Sequence, residues 1–239
     1  MENPKTLRSI LVGLSLLLIA IVPAQGVTAG AGVAGQKICL DPGHGGADPG
    51  AVNAEYGLEE ADINLDVAYA LKELLVDGGA TVVMTRADDS YKTNRDRYTF
   101  CNSEQADILV SVHTNSTINT SMDGSMALYF HDDDKALSWA IHQVVYGSLK
   151  ATAPDPTNFS DFGLSRFASG VLLKSDMPAA MMEPLCMSYE PEAKLLDQSA
   201  TVTGSRRWQI AQAIYQGVLN YYSGVEPPPE PGCHGRGCR

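Results

Sequence analysis

The sequence predicts an α/β domain built on one twisted, mostly parallel sheet with helices on both faces. Three observations predict it. Short apolar runs alternate with longer segments of helical periodicity, the pattern of a sheet whose strands are joined by helices. Two of those runs end in a histidine set among small or polar residues, at Asp41-Pro42-Gly43-His44-Gly45-Gly46 and at Ser111-Val112-His113-Thr114-Asn115. Once an N-terminal leader is set aside, roughly 200 residues follow, enough for one domain with a proper core.

The first strand is expected near 37–41, where Lys37-Ile38-Cys39-Leu40 is apolar and leads into the glycine-rich turn. A helix is expected near 60–77, because Ile63, Val67, Leu71, Leu74 and Leu75 fall on one face and Gly78-Gly79 closes it. Further strands are expected near 80–85, 107–113, 124–130, 169–174 and 178–183, and further helices near 93–105, 134–150 and 203–222. Between Ala151 and Arg166 the sequence reads as a short polar loop with Pro154 and Pro156. The run Asp132-Asp133-Asp134 reads as a solvated loop and helix cap, with a calcium site as the alternative.

Residues 1–35 read as a leader outside the fold. Lys5 and Arg8 precede the apolar stretch Ile10 to Val22, and small residues follow, the order of a secretory signal. The stretch is shorter than the roughly 20 residues a membrane span needs. Cleavage is expected after Ala24 or Ala29, an uncleaved anchor is the alternative, and the product is exported: extracellular, wall-associated or periplasmic. The domain is expected over 36–224, followed by a proline-rich tail over 225–239 that contains Cys233, His234 and Cys238. In an exported chain Cys233 and Cys238 could close a small disulfide loop. Cys39, Cys101 and Cys186 lie in apolar or helical context and read as buried thiols.

A formal net charge of −11 excludes a nucleic-acid binder, which needs a basic face. An anionic ligand would have to be met by local cations such as Arg86, Arg95, Arg97 or Arg166. Arg95 and Arg97 can equally be structural, pairing with carboxylates on a helix face. His131 reads as a surface residue at a strand end, and His142 as a member of an amphipathic helix.

The chemistry is carried by His44, His113 and Glu60, each placed at the end of a regular element. In open α/β sheets the carboxyl edge of the strands is where ligands bind. Two histidines and a carboxylate suit a catalytic zinc site, with three protein ligands and one open position. The wide sequence spacing is unlike an HExxH helix, where two ligands lie one turn apart.

These blocks resemble the zinc-dependent N-acetylmuramoyl-L-alanine amidases, which cleave peptide stems from the glycan of bacterial peptidoglycan. The matching pieces run in order: Ile38 to Gly46, Gly57 to Leu65, Val83 to Arg86, Asn94 to Arg97, Ala106 to Asn115, Gly124 to Tyr129 and Pro178 to Glu183. The resemblance spans about Lys37 to Ser223 and implies a phosphorylase/hydrolase-like sheet. It implies His44, Glu60 and His113 as ligands of one Zn²⁺, Glu60 being chosen over Glu59 because it stands four residues before Asn64. It implies Glu183 as the catalytic glutamate, with a pKa raised by burial, and Asn115 as a substrate contact. Arg166 is a further candidate for the substrate groove, and Asp41 or Asp62 would orient a ligand imidazole.

The chain departs from the family after Glu183, where it reads Pro184-Leu185-Cys186-Met187-Ser188-Tyr189. That departure supports an alternative, a wall-binding protein on an inactive amidase scaffold. A zinc peptidase acting within the stem is the other. The short 151–166 segment leaves no room for a helical plug over the site, so the expectation is a monomer that needs no activator protein.

Overall fold

The computed structural model describes residues 32–228. The leader before residue 32, and Cys233, His234 and Cys238 of the tail, lie outside the described residues. Among the described residues no helix is long and apolar enough to cross a membrane.

The chain runs β1 (Lys37–Pro42), the short pair β2 (Val52–Asn53) and β3 (Leu58–Glu59), α1 (Glu60–Asp77), β4 (Thr81–Met84), α2 (Asn94–Ser103) and β5 (Ile108–Val112). It continues with β6 (Asp123–Tyr129), α3 (Asp134–Ala151), β7 (Phe159–Arg166), α4 (Gly170–Lys174), β8 (Ala179–Glu183), α5 (Glu190–Leu195) and α6 (Arg206–Tyr222). The six-stranded sheet has the order β4-β1-β5-β8-β6-β7, and every pairing is parallel except β6 with β8. β2 and β3 form a separate antiparallel pair.

The two faces of the sheet follow from strand alternation, in which successive side chains point to opposite sides. Ile38, Leu40, Ile108, Val110, Ala180 and Met182 pack with α1, α3 and α6 residues such as Leu71, Ile141 and Ile214. Their neighbours Cys39, Leu109, Ala179 and Met181 face the other way, onto Cys101 of α2 and Val171 and Leu172 of α4. Thr93 and Asp96 form a reciprocal capping box at the start of α2.

Several expectations are corrected. Residues 169–174 form α4 rather than a strand, since Ser169 caps Leu172 N and the apolar run Val171-Leu172-Leu173 is too short for periodicity to choose a period. The polar 151–166 segment is a loop only over 152–158 and then becomes the edge strand β7, which shows no apolar alternation because half of its residues are exposed and only Phe159 is buried. Cys39 and Cys101 are not thiols but a disulfide joining β1 to α2, whereas Cys186 is a buried free thiol. Val33 is 1% exposed and packs in the core, so the fold begins before residue 36.

Asp134 is buried rather than solvated. Its carboxylate accepts from Phe130 N, His131 N and Ala179 N, tying the β6–α3 turn to the start of β8.

Candidate active site

The carboxyl ends of β1, β5 and β8 lie side by side, with Pro42 level with Val112 and Val112 level with Met182. His44 and His113 therefore leave the sheet next to one another, and Glu183 ends the neighbouring strand. Glu60, the first residue of α1, reaches the same point from the β2–β3 side.

The loop that carries His44 is tightly constrained. A Cβ on Gly43 would sit 2.3 Å from the His113 ring, and one on Gly50 would sit 2.6 Å from the His44 ring. Both positions therefore demand glycine. His44 itself has φ of 60°, in the left-handed region that few non-glycine residues occupy. The surrounding hydrogen bonds hold it there: Arg97 donates to the Pro42 and His44 carbonyls at 2.6 and 2.7 Å, and Arg86 to those of Pro42 and Gly43 at 3.0 and 2.8 Å.

His44, Glu60 and His113 each direct one donor atom inward, all within 4.8 Å of one another. Glu60 Oε2 lies 3.2 Å from His44 Nε2, and Oε1 lies 3.0 Å from His113 Nδ1. Backbone amides of Ala51 and Thr114 and the Asn64 amide also donate to this carboxylate, at 3.0, 3.2 and 3.2 Å. Glu59, the competing carboxylate, is exposed on β3. His44 Nδ1 pairs with Asp48 Oδ2 at 2.9 Å, which leaves Nε2 as the ring atom that faces Glu60.

The electrostatics are those of an anion between two imidazoles. The Glu60 hydrogen bond, against an opposing effect of burial, raises the His44 pKa to about 9, helped by Asp48. Burial likewise opposes charge on His113, but Glu60 and the charge of Glu183 raise its pKa. Burial pushes Glu60 upward, yet hydrogen bonds from His113 and His44 hold it well below the usual carboxylate range. Glu183 has no such partner. Desolvation raises its pKa to about 7, and its Oε2 is buried without a hydrogen bond among the described residues.

The donor set fits a metal ion: two ring nitrogens and a carboxylate converge, and the far nitrogen of one ring is fixed by a carboxylate. A cleft of about 430 Å³ opens beside them, lined by His44, His113 and Glu183 together with Tyr91, Lys92 and Phe167.

The other expected site residues are placed differently. Asn115 accepts from Met187 N at 2.8 Å through its carbonyl, so it anchors the loop after Glu183 and does not line this cleft. That loop is well packed, with Leu185, Cys186 and Met187 fully buried. Arg166 stands at the end of β7 against the Tyr129 and Phe130 rings and pairs with Asp132, one residue before cleft-lining Phe167. Arg86 and Arg97 are buried and hold backbone carbonyls, so they are structural. Asp41 does not orient an imidazole but accepts from Arg97, Thr85 and Ser111; burial opposes its charge, and these three partners bring its pKa below the usual range. The orienting residue is Asp48, which the sequence reading missed; its spacing of four residues from His44 was the available signal.

A family model described as N-acetylmuramoyl-L-alanine amidase matches residues 38–220. The chain belongs to that family. Within it, the chain is 30% identical over 190 residues to the N-acetylmuramoyl-L-alanine amidase LytC of Bacillus subtilis, covering 80% of this chain but 36% of LytC. It is 28% identical over 216 residues to the germination-specific N-acetylmuramoyl-L-alanine amidase of the same organism, covering 83% of this chain and 84% of that one. The structure of the CwlD amidase from Clostridioides difficile, in complex with the GerS lipoprotein, superposes with a TM-score of 0.64 at 32% identity, covering 79% of this chain and 99% of that one. The amidase fold accounts for the mixed, mostly parallel sheet and for the position of the site at its carboxyl edge.

Proposed function

We propose that the protein hydrolyses the amide bond between N-acetylmuramic acid and L-alanine in peptidoglycan, with one zinc ion held by His44, Glu60 and His113. The observation that carries this reading is the convergence of those three donors beside an unpartnered glutamate in one cleft. When bound, zinc supplies a Lewis acid that polarises the scissile carbonyl and activates water.

The chain's own residues do the rest. Asp48 fixes the His44 ring through Nδ1, and the Ala51, Thr114 and Asn64 donors fix the Glu60 carboxylate. Glu183 Oε2, free of hydrogen bonds, takes a proton from the attacking water and delivers it to the departing alanine nitrogen. A carboxylate whose pKa stands near 7 suits both halves of that transfer.

The protein acts outside the cytoplasm in this reading. The buried Cys39–Cys101 disulfide supports an oxidising compartment, and the relatives include enzymes named as cell wall amidases. The short 152–158 loop supports an open cleft that needs no activator.

The test is release of peptides from purified peptidoglycan, with and without a chelator, comparing wild type with Glu183→Ala. Zinc-dependent release of stems with an L-alanine amino terminus, lost in the variant, is the expected result. Products cut within the stem would mark a peptidase. Binding of zinc and wall with no release would mark a binding protein on an amidase scaffold.

A further inference from the structure

Two depressions lie near the His44–Glu60–His113 group, and they differ in the cations that line them. The first is the cleft of about 430 Å³ that contains Glu183. The second is an open groove of about 710 Å³; Val52 on its wall follows Ala51, which donates to Glu60, and Ser116 lies three residues beyond His113. Both are thus bordered by segments that lead into the same site.

The second groove is lined by hydroxyls and aromatic rings, among them Ser116, Thr117, Tyr56 and Tyr189. Among the described residues its charged lining is Glu55 and Glu190, the latter paired with Lys194, and no lysine or arginine lines it. The first cleft is lined by two cations, Lys92 and Arg97, and by three carboxylates: Asp41, held by Arg97, Asp48, held by His44, and Glu183. Arg97 is fully engaged, by Asp41 and by the carbonyls of Pro42, His44 and Lys92. Lys92 is half-buried, and among the described residues its ammonium makes no ion pair. Exposed aromatic side chains, Tyr91 and Phe167, border the same cleft. Asp88 and Asp96 feel its charge from exposed positions without pairing with it, so beside the exposed rings Lys92 remains able to meet an anionic ligand, on a chain of net charge −11.

The two halves of a muramoyl-peptide differ in the same sense. The muramic carboxyl is consumed in the scissile amide, which leaves the glycan neutral, while the peptide stem keeps its free carboxylates. Resting on the amidase reading, we infer that the stem peptide lies in the Lys92 cleft, with Lys92 meeting a stem carboxylate, and that the uncharged glycan leaves through the groove of Tyr56 and Tyr189. Lys92 is then a specificity-determining residue that selects stems with free carboxylates over amidated ones.

Side-chain substitution tests this cleanly, because Arg97 uses the Lys92 carbonyl and not its ammonium. The probes are two synthetic muramoyl peptides, identical except that the stem carboxylates are free in one and amidated in the other. Binding and kcat/KM are measured for both with the zinc-loaded full chain. Wild type should favour the free acid by roughly three- to tenfold, chiefly through KM, as a part-exposed charge-assisted contact allows. Lys92→Met should bring the ratio to one, and Lys92→Glu should invert it. A preference that persists in both variants overturns the inference, as does wild type showing no preference, or a loss shared equally by both substrates. If wild type binds with the Lys92-dependent preference yet cleaves neither, this placement stands and the amidase reading falls.

Discussion

Arg97 Nη1 lies 2.9 Å from Asp41 Oδ1, and both side chains are buried, the arginine at 4% and the aspartate at 1%. This pair locks α2 to the end of β1 at the point where the chain turns into His44. The same guanidinium also holds the Pro42 and His44 carbonyls, so it fixes the left-handed backbone of His44 as well as balancing a buried charge.

Removing one partner of such a pair leaves the other charge stranded. Arg97→Ala should therefore cost about 3–5 kcal/mol in unfolding free energy measured by urea titration. Metal affinity should fall with it, because His44 loses the contacts that hold its left-handed φ. A variant that keeps wild-type stability and metal affinity would show that Arg86 alone suffices to hold the loop.

In the metal-free protein, Glu60 and Asp48 raise the His44 pKa to about 9, so the ring carries a proton at neutral pH. A metal must displace it. Zinc titrated into weakly buffered apoprotein at pH 7 should release protons, and affinity should weaken as the pH is lowered. Glu60, held well below the usual carboxylate range, gives up none. Binding that is independent of pH between 6 and 8 would contradict this geometry.

Glu183→Gln should reduce turnover by about 10²- to 10⁴-fold, the range for loss of a general acid–base group, with zinc stoichiometry unchanged. It should not destabilise the fold. The wild-type carboxylate has a buried oxygen without a partner, and an amide carries no charge to desolvate. A melting temperature equal to or above wild type, read beside the lost activity, separates a catalytic role from a structural one.

Sequence patterns carried β1, β5, β8 and α1 because each is a buried apolar run or a clear 3.6-residue periodicity next to a candidate site residue. The blocks shared with the family also pointed to His44, Glu60 and His113, whose donor atoms converge in the structure. The patterns did not carry β7, half of whose residues are exposed at the sheet edge, nor α4, whose five residues cannot show a period. Long-range pairings were equally hidden. Cys39 and Cys101 are separated by 62 residues, and only the packing of α2 on β1 brings them together. Asp134 looked solvated within an acidic run, yet the start of β8 supplies it with an amide from 45 residues away.

The Cys39–Cys101 bond closes a long loop, and the chain-entropy relation for such a loop gives about 4 kcal/mol, at the upper end of the usual 2–4. Cys39→Ser/Cys101→Ser should lose a similar amount in denaturant unfolding. Mass spectrometry of the unreduced protein should find a peptide linking the two cysteines. Recovery of both as free thiols from protein produced under oxidising conditions would disprove the bond.

A second buried cluster makes stability depend on pH. Glu192 is fully buried against Arg206, with Nε 2.7 Å from Oε2, and the Asp123 carboxyl lies beside that of Glu192. Burial raises the Glu192 pKa to about 7 and that of Asp123 above its usual value, so two carboxylates facing one guanidinium retain a proton toward neutrality. The folded state then binds more protons than the unfolded one between about pH 4.5 and 7. Stability from this cluster is fully present below that window and is lost as the pH rises through it, at up to about 1.4 kcal/mol per pH unit. Asp123→Asn keeps the acceptor for Cys186 N and Gly124 N but removes one of the competing charges. Unfolding free energies measured from pH 5 to 8 should therefore fall more steeply for wild type than for Asp123→Asn. Parallel slopes would show that the two carboxylates do not share a proton, and that Arg206 alone keeps Glu192 ionised.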